Sequence, residues 1–110
     1  MGLAKIWLYR AGAHEAIKVS QKPVKLSENK LTIKPEVGHE RSVTKALVTC
    51  EGGPAFYTLD GTEPKADGSV GHRLQDGDEK DIENLHNIKG FQVVSPNKTM
   101  LKVTYFFDVS

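Results

Sequence analysis

The side chains that could bind a transition metal are four histidines and one cysteine. Neither a His-x-His nor a His-x-x-x-His pair occurs, and a single thiol cannot complete the paired-cysteine spacing of a zinc site. We therefore expect no metal centre here, and we expect each histidine to lie in a loop or on the surface. The residues concerned are His14, His39, Cys50, His72 and His86.

The acidic stretch DGDEKDIEN resembles a calcium-binding loop at first sight. Asp76 and Asp78 would fill the first and third ligand positions, but Lys80 stands at the fifth, where its ammonium group would repel the ion. Gly77 also falls at the second position, whereas the loop needs its turn glycine at the sixth. The stretch is better interpreted as a solvated acidic turn.

A second group of acids, Asp60, Glu63 and Asp67, could form only an irregular cation site. Oxygen-rich loops of this kind are common and are usually empty.

Cys50 is the only candidate for a thiol nucleophile. It alternates in phase with Ala46 and Val48 along a strand-like segment, which predicts a small core thiol. The sequence also lacks a Gly-x-Ser-x-Gly elbow, a phosphate-binding Walker loop and a dinucleotide fingerprint. We therefore expect a protein that is not an enzyme and that needs no cofactor.

The elements that would position these residues are mostly strands. The clearest alternation lies in the last segment, which has one apolar face, formed by Leu101, Val103, Tyr105 and Phe107, and one mixed face, formed by Lys102, Thr104, Phe106 and Asp108. Two turns, at residues 52–54 and 96–98, separate apolar runs and predict two antiparallel hairpins.

Helical periodicity is weak. Ile82, Leu85 and Ile88 have helical spacing, but Gly77 and Gly90 confine any helix to a dozen residues. About seven short strands predict one all-β domain over residues 1–110, an antiparallel β-sandwich that is immunoglobulin-like or a small jelly roll, with at most one short helical turn.

Composition and charge limit the partners. The 110 residues include no apolar run of about 20, the length that a membrane helix needs. We expect no signal peptide, and a lone cysteine suits a reducing cytoplasm. Residues 1–50 carry a net charge of +5 and residues 51–110 carry −4. The basic residues are scattered, which disfavours nucleic-acid binding, while the uneven charge indicates either two solvated faces or self-association.

Three aromatic residues near the ends of the chain are candidate interface residues. In the first strand Ile6 and Leu8 alternate with Trp7 and Tyr9, so both faces of that strand are apolar. In the last strand Phe106 likewise puts a large apolar side chain on the mixed face. Either the first strand is central and covered, or these aromatic residues contact a partner. The sequence is compatible with both arrangements.

The stretch YTLDGTEP, residues 57–64, resembles a turn of the immunoglobulin-like domains that accompany chitobiase-type glycosidases. The resemblance covers eight residues and implies a β-sandwich turn. It also supplies an alternative function, a carbohydrate-binding or accessory module, in which Tyr57 would be the aromatic residue that contacts the sugar.

A broader resemblance covers residues 45–107. The order of YTLDGTEP, GHRLQDGD, FQVV and LKVTY is similar to that of small structural proteins of tailed bacteriophages. The resemblance implies a virion component that is made in the host cytoplasm: a head decoration, head–tail joining or tail protein. Its partners would be capsid or tail proteins, or its own copies in a homo-oligomer, and residues 1–11 would be a partner-contacting terminal strand.

Overall fold

Alternating apolar residues form strands along most of the chain. The computed structural model describes residues 9–33 and 41–108, and Trp7 and His39 lie outside them. Nine strands occur within the described residues: β1 Tyr9–Val19, β2 Val24–Lys25, β3 Thr32–Ile33, β4 Arg41–Glu51, β5 Ala55–Thr58, β6 His72–Leu74, β7 Glu79–Glu83, β8 Gln92–Val94 and β9 Thr99–Asp108.

The strands form two sheets. The first sheet has the order β1-β9-β4-β3, and β7 also pairs with β4. The second sheet has the order β2-β8-β5-β6. All the pairings between described strands are antiparallel. The prediction of an all-β antiparallel sandwich is therefore confirmed.

The core lies between the two sheets and contains the predicted face of β9. Leu101, Val103, Tyr105 and Phe107 are all buried, as predicted. Each buried side chain of this size contributes about 1.5–3 kcal/mol through removal of apolar surface from water. The prediction for Cys50 is also confirmed, because its thiol is fully buried. From β4 the core also receives Val43, Ala46 and Val48.

Both predicted hairpins are wrong. The turn at residues 52–54 joins β4 in the first sheet to β5 in the second, and the turn at residues 96–98 joins β8 in the second sheet to β9 in the first. The reason is that β4 and β9 have neighbours on both sides: β4 pairs with β9, β7 and β3, and β9 pairs with β1 and β4. No edge of β4 or β9 is left for the strand that is adjacent in sequence, so the chain crosses to the other sheet.

The hydroxyl groups of two buried residues connect the two segments at which the chain crosses from one sheet to the other. The Ser95 hydroxyl donates to the Pro54 carbonyl oxygen at 2.7 Å and lies 2.9 Å from the Thr99 hydroxyl. The Thr99 hydroxyl in turn donates to the Gly52 carbonyl oxygen at 3.4 Å. These bonds satisfy polar groups that the crossings bury at one end of the sandwich.

The predicted helical window is divided between a strand and a helix. Ile82 belongs to β7, whereas Leu85 and Ile88 belong to helix α1, Leu85–Gly90. Asn84 separates them, with a φ of 81° and a side chain that accepts a hydrogen bond from the His86 backbone N–H at 2.8 Å. A three-residue 3-10 turn, Glu28–Lys30, was not predicted.

Candidate interaction face

The first sheet has one face in the core and one face outside it. We call the second the outer face, and none of its side chains is buried. Antiparallel register places opposite residues on the same side of a sheet. By that criterion the outer face consists of Ala11, His14, Ala16 and Lys18 on β1, Met100, Lys102, Thr104 and Phe106 on β9, Lys45, Leu47, Thr49 and Glu51 on β4, and Glu79, Asp81 and Glu83 on β7.

Three large apolar side chains lie on the two central strands of this face. Phe106, Met100 and Leu47 are half-buried on the two central strands, although they point away from the core. An antiparallel sheet with one solvated face normally alternates apolar and polar residues cleanly, so three large apolar groups on the outside need an explanation.

Phe106 is the best-placed of the three predicted interface residues. It lies opposite Ala11 on β1 and Lys45 on β4, and the Lys45 Nζ lies 5.4 Å from the centroid of its ring. The Lys45 ammonium group also lies 3.7 Å from the Asp81 carboxylate. A cation–π contact at such an exposed position contributes about 0.5–1 kcal/mol, so Phe106 is oriented by its neighbours but is not covered by them.

Of the other two predicted interface residues, the structure describes Tyr9 but not Trp7. The backbone of Tyr9 starts β1 and pairs with Asp108, two positions along β9 from Phe106. Trp7 lies outside the described residues. Over the described residues β1 pairs only with β9 and stands at the edge of the first sheet. Of the predicted first strand, only residues 9–11 are described, and they belong to this edge strand.

Charge is distributed unevenly across the outer face. The half formed by β1 and β9 carries Lys18 and Lys102, and the alternation along β9 adds the acidic position Asp108. The Lys102 ammonium group lies 3.7 Å from the Glu51 carboxylate on β4. The half formed by β4 and β7 carries one lysine and four acidic residues, which are Lys45, Glu51, Glu79, Asp81 and Glu83. The division does not follow the two halves of the sequence, because β1 and β4 come from the basic half and β7 and β9 from the acidic half.

A β-bulge in β4 adjoins Phe106 and leaves a hydroxyl group without a partner. The register shifts between Val43 and Lys45, so Thr44 is the extra residue. Its backbone oxygen accepts a hydrogen bond from the Asn84 N–H at 2.8 Å, but its Oγ1 is buried and has no hydrogen-bond partner among the described residues.

Thr44→Val is expected to raise the free energy of unfolding by about 1 kcal/mol, because it removes a buried hydroxyl that gains nothing in the folded state. Urea unfolding at neutral pH would measure the change. Thr49→Val, on the outer face of the same strand, is the matched control and should change stability by less than about 0.5 kcal/mol. A clear loss of stability in Thr44→Val would mean that the hydroxyl has a partner.

A partly buried polar cluster lies on the inner side of β1. The Glu15 carboxylate accepts hydrogen bonds from the Ser27 hydroxyl at 2.7 Å and from the Tyr105 hydroxyl. Burial, and then the hydrogen bond and negative charge of Glu15, raise the pKa of Tyr105 well above its ordinary value. Sequence alternation identified Tyr105 as a core residue but gave no sign of Glu15, because its partners are distant in the sequence.

The stretch YTLDGTEP forms the predicted turn. The Thr62 N–H donates to the Asp60 Oδ1 at 3.0 Å, the Thr58 hydroxyl donates to the Thr62 carbonyl oxygen, and Gly61 has a φ of 86°. Hydrogen bonds from Thr62 lower the pKa of Asp60. The carboxylate therefore shapes its own loop, as an Asx turn does.

Tyr57, the proposed sugar-contacting residue, belongs to the core. Its ring is 6% exposed and lies between Phe91, at 5.6 Å between centroids, and His72, at 5.4 Å. A sugar ring needs the open face of an aromatic side chain, which Tyr57 does not offer in this packing.

The acidic turn after β6 also uses its carboxylates internally. The Asp78 Oδ2 accepts a hydrogen bond from the Gln75 N–H at 2.7 Å, and the Asp76 Oδ1 accepts one from the Gly52 N–H at 2.9 Å. Across residues 9–33 and 41–108 no three His, Cys, Asp or Glu side chains cluster as metal ligands would. His14, His72 and His86 are exposed, as expected.

Among the described residues no helix has the length and apolar character that crossing a membrane requires. No family model matches the chain, and neither the curated proteins nor the solved structures yielded a match.

Proposed function

We propose that the chain is a non-enzymatic structural protein of a bacteriophage virion, which decorates or joins the capsid or tail through contacts with capsid or tail proteins and with its own copies. The observation that carries the proposal is the outer face, whose two central strands bear the half-exposed apolar side chains of Phe106, Leu47 and Met100. A face of this kind gains free energy when a partner covers it.

The resemblance of residues 45–107 to small phage structural proteins supplies the class of partner. The motifs that carry it correspond to structural features: the buried Leu74 and the Asp78 cap of the acidic turn, the strand β8, and the strand β9 that bears Phe106. The carbohydrate-binding alternative has less support, because Tyr57 is buried.

Replacing the aromatic residues should remove the protein from particles. In phage particles assembled from the genome that encodes the chain, the Trp7→Ser/Tyr9→Ser variant and the Phe106→Ser variant should each reduce incorporation at least about tenfold, since buried interface aromatics often contribute 2 kcal/mol or more. Immunoblots of gradient-purified particles would measure the loss. Circular dichroism would show whether each variant is folded.

Lys25→Ser is the matched control, because Lys25 is exposed on β2 of the second sheet and should be dispensable. If the wild-type chain is absent from purified particles, the proposed function is wrong. If the wild type is incorporated and the aromatic variants are incorporated equally well, the virion assignment stands and the proposed contact residues are wrong.

A further inference from the structure

We propose that the outer face binds the outer face of a second copy of this chain, with a two-fold axis that runs parallel to the strands. The inference rests on the self-contact part of the proposed function and names the partner and the geometry. In this arrangement β1 of one copy lies over β7 of the other, and β9 lies over β4.

The size of the face suits such a contact. Four neighbouring strands of about five to eleven residues cover on the order of 600 Å² in projection, at about 4.8 Å between strands and 3.4 Å per residue. Stable protein interfaces bury about 800 Å² of accessible surface on each partner. Two sheets pack face to face at about 10 Å when side chains interdigitate, and Phe106, Leu47 and Met100 are the groups that would do so.

Charge decides which copy-to-copy arrangement is favourable. The half with β1 and β9 has two lysines, Lys18 and Lys102, against one acidic position, Asp108, and the half with β4 and β7 has one lysine against four acidic residues. A two-fold axis along the strands exchanges these halves, so the positive half of each copy meets the negative half of the other. An axis across the strands would instead place like charges together, which costs free energy.

The same axis determines the individual contacts. Phe106 of each copy lies over the Lys45 position of the other, which extends the cation–π contact already present within one chain. Lys18 on β1 reaches toward Glu79 of the second copy, and symmetry repeats this pair. Both Lys18 and Glu79 are exposed within one chain.

Charge exchange tests the arrangement in solution. The purified wild-type chain should form a dimer in sedimentation equilibrium. Lys18→Glu and Glu79→Lys should each raise the dissociation constant at least about tenfold, because each places like charges together twice. The double variant Lys18→Glu/Glu79→Lys should restore the wild-type constant to within about threefold, because it restores both pairs.

Two further variants test whether the dimer forms through the outer face. Phe106→Ser should weaken the dimer at least about tenfold. Lys25→Glu, a charge reversal on the second sheet, should leave the dissociation constant unchanged. Thermal unfolding would confirm that each variant is folded.

Three results would overturn the inference. The first is a wild-type chain that is monomeric up to about 1 mM, whether or not it enters particles. The second is a dimer that all the face variants leave intact, which would indicate pairing through strand edges. The third is a double charge variant that is no better than the single ones. Particle incorporation is scored separately, so a dimer that never enters particles would refute the virion assignment and leave this inference standing.

Discussion

Gly90→Ala should destabilise the protein by about 3 kcal/mol, the upper end of the range for overpacking a well-packed site. Gly90 ends helix α1 against the turn of the YTLDGTEP stretch. A Cβ added there would lie 2.2 Å from the Leu59 carbonyl oxygen and 3.0 Å from its carbonyl carbon. Contacts this short with backbone atoms cannot be relieved by a side-chain rotation, so the turn and the helix must move apart.

That movement would break the bonds that hold the turn to the helix and to β8. The Gly61 N–H donates to the Gly90 carbonyl oxygen at 3.1 Å, and the Gln92 side chain donates to the Gly61 carbonyl oxygen at 2.9 Å. Each such bond contributes about 1 kcal/mol. The turn of the YTLDGTEP stretch therefore packs against the end of helix α1, and the turn and the helix come closest at Gly90.

Chemical denaturation of the wild type and two glycine variants would test this prediction. Gly61→Ala is the matched control: its added Cβ has no atom within 4 Å, but its φ of 86° is unfavourable for alanine. It should cost about 1 kcal/mol, which is strain alone. The sign of the change in the free energy of unfolding of Gly90→Ala is decisive, because alanine in an uncrowded helix would raise that free energy by up to about 1 kcal/mol relative to glycine. A stabilised Gly90→Ala variant would show that helix and turn are not in contact.

Alternation along the sequence predicted which residues face the core but not which strands are neighbours. On β9 the apolar face is continuous and includes Tyr105, so a period of two was sufficient to assign it. On β4 the same period placed Cys50 in the core. Both results follow from local geometry, because successive side chains in a strand point to opposite sides of the sheet.

The two crossings between sheets could not be predicted in this way. A Gly-Gly-Pro or Pro-Asn-Lys segment shows that the chain reverses direction, but it does not show which strand it then meets. That choice depended on β7 and β9, which take the two sides of β4 and come from more than 25 residues further along the chain. Pairing over such distances leaves no local pattern in the sequence.

The outer face was predicted only in part, for the same reason. The position of Phe106 on the mixed face of β9 marked it as a candidate interface residue. Its neighbours Lys45 and Asp81 come from β4 and β7, and their contacts depend on register across two strand pairs. The sequence showed a difference in charge between its halves, whereas the structure distributes charge by strand. The polarity of the face therefore became apparent only from the sheet order.

The free energy of unfolding should fall steeply in alkaline solution, because two buried groups hold their protons more tightly in the folded protein than in the unfolded chain. Burial raises the pKa of Cys50 above its ordinary 9.0, and burial together with Glu15 raises that of Tyr105 above its ordinary 10.0. Above those ordinary values the unfolded chain releases protons that the folded chain retains, so each group lowers the free energy of unfolding as pH rises. Tyr105 contributes a slope of about −1.4 kcal/mol per pH unit beginning near pH 10, and Cys50 adds a negative slope that begins near pH 9.

Urea unfolding between about pH 8 and pH 12 would resolve the two contributions. Tyr105→Phe should lower stability at neutral pH by about 1 kcal/mol, since it removes the hydrogen bond to Glu15, and should abolish the part of the slope that begins near pH 10. Cys50→Ala should remove only the part that begins near pH 9. Contributions that are the same in all three proteins cancel in the comparison. If Tyr105→Phe kept the full wild-type slope above pH 10, Tyr105 would have to ionise as freely in the folded protein as in the unfolded chain, and the cluster with Glu15 and Ser27 could not be closed to water.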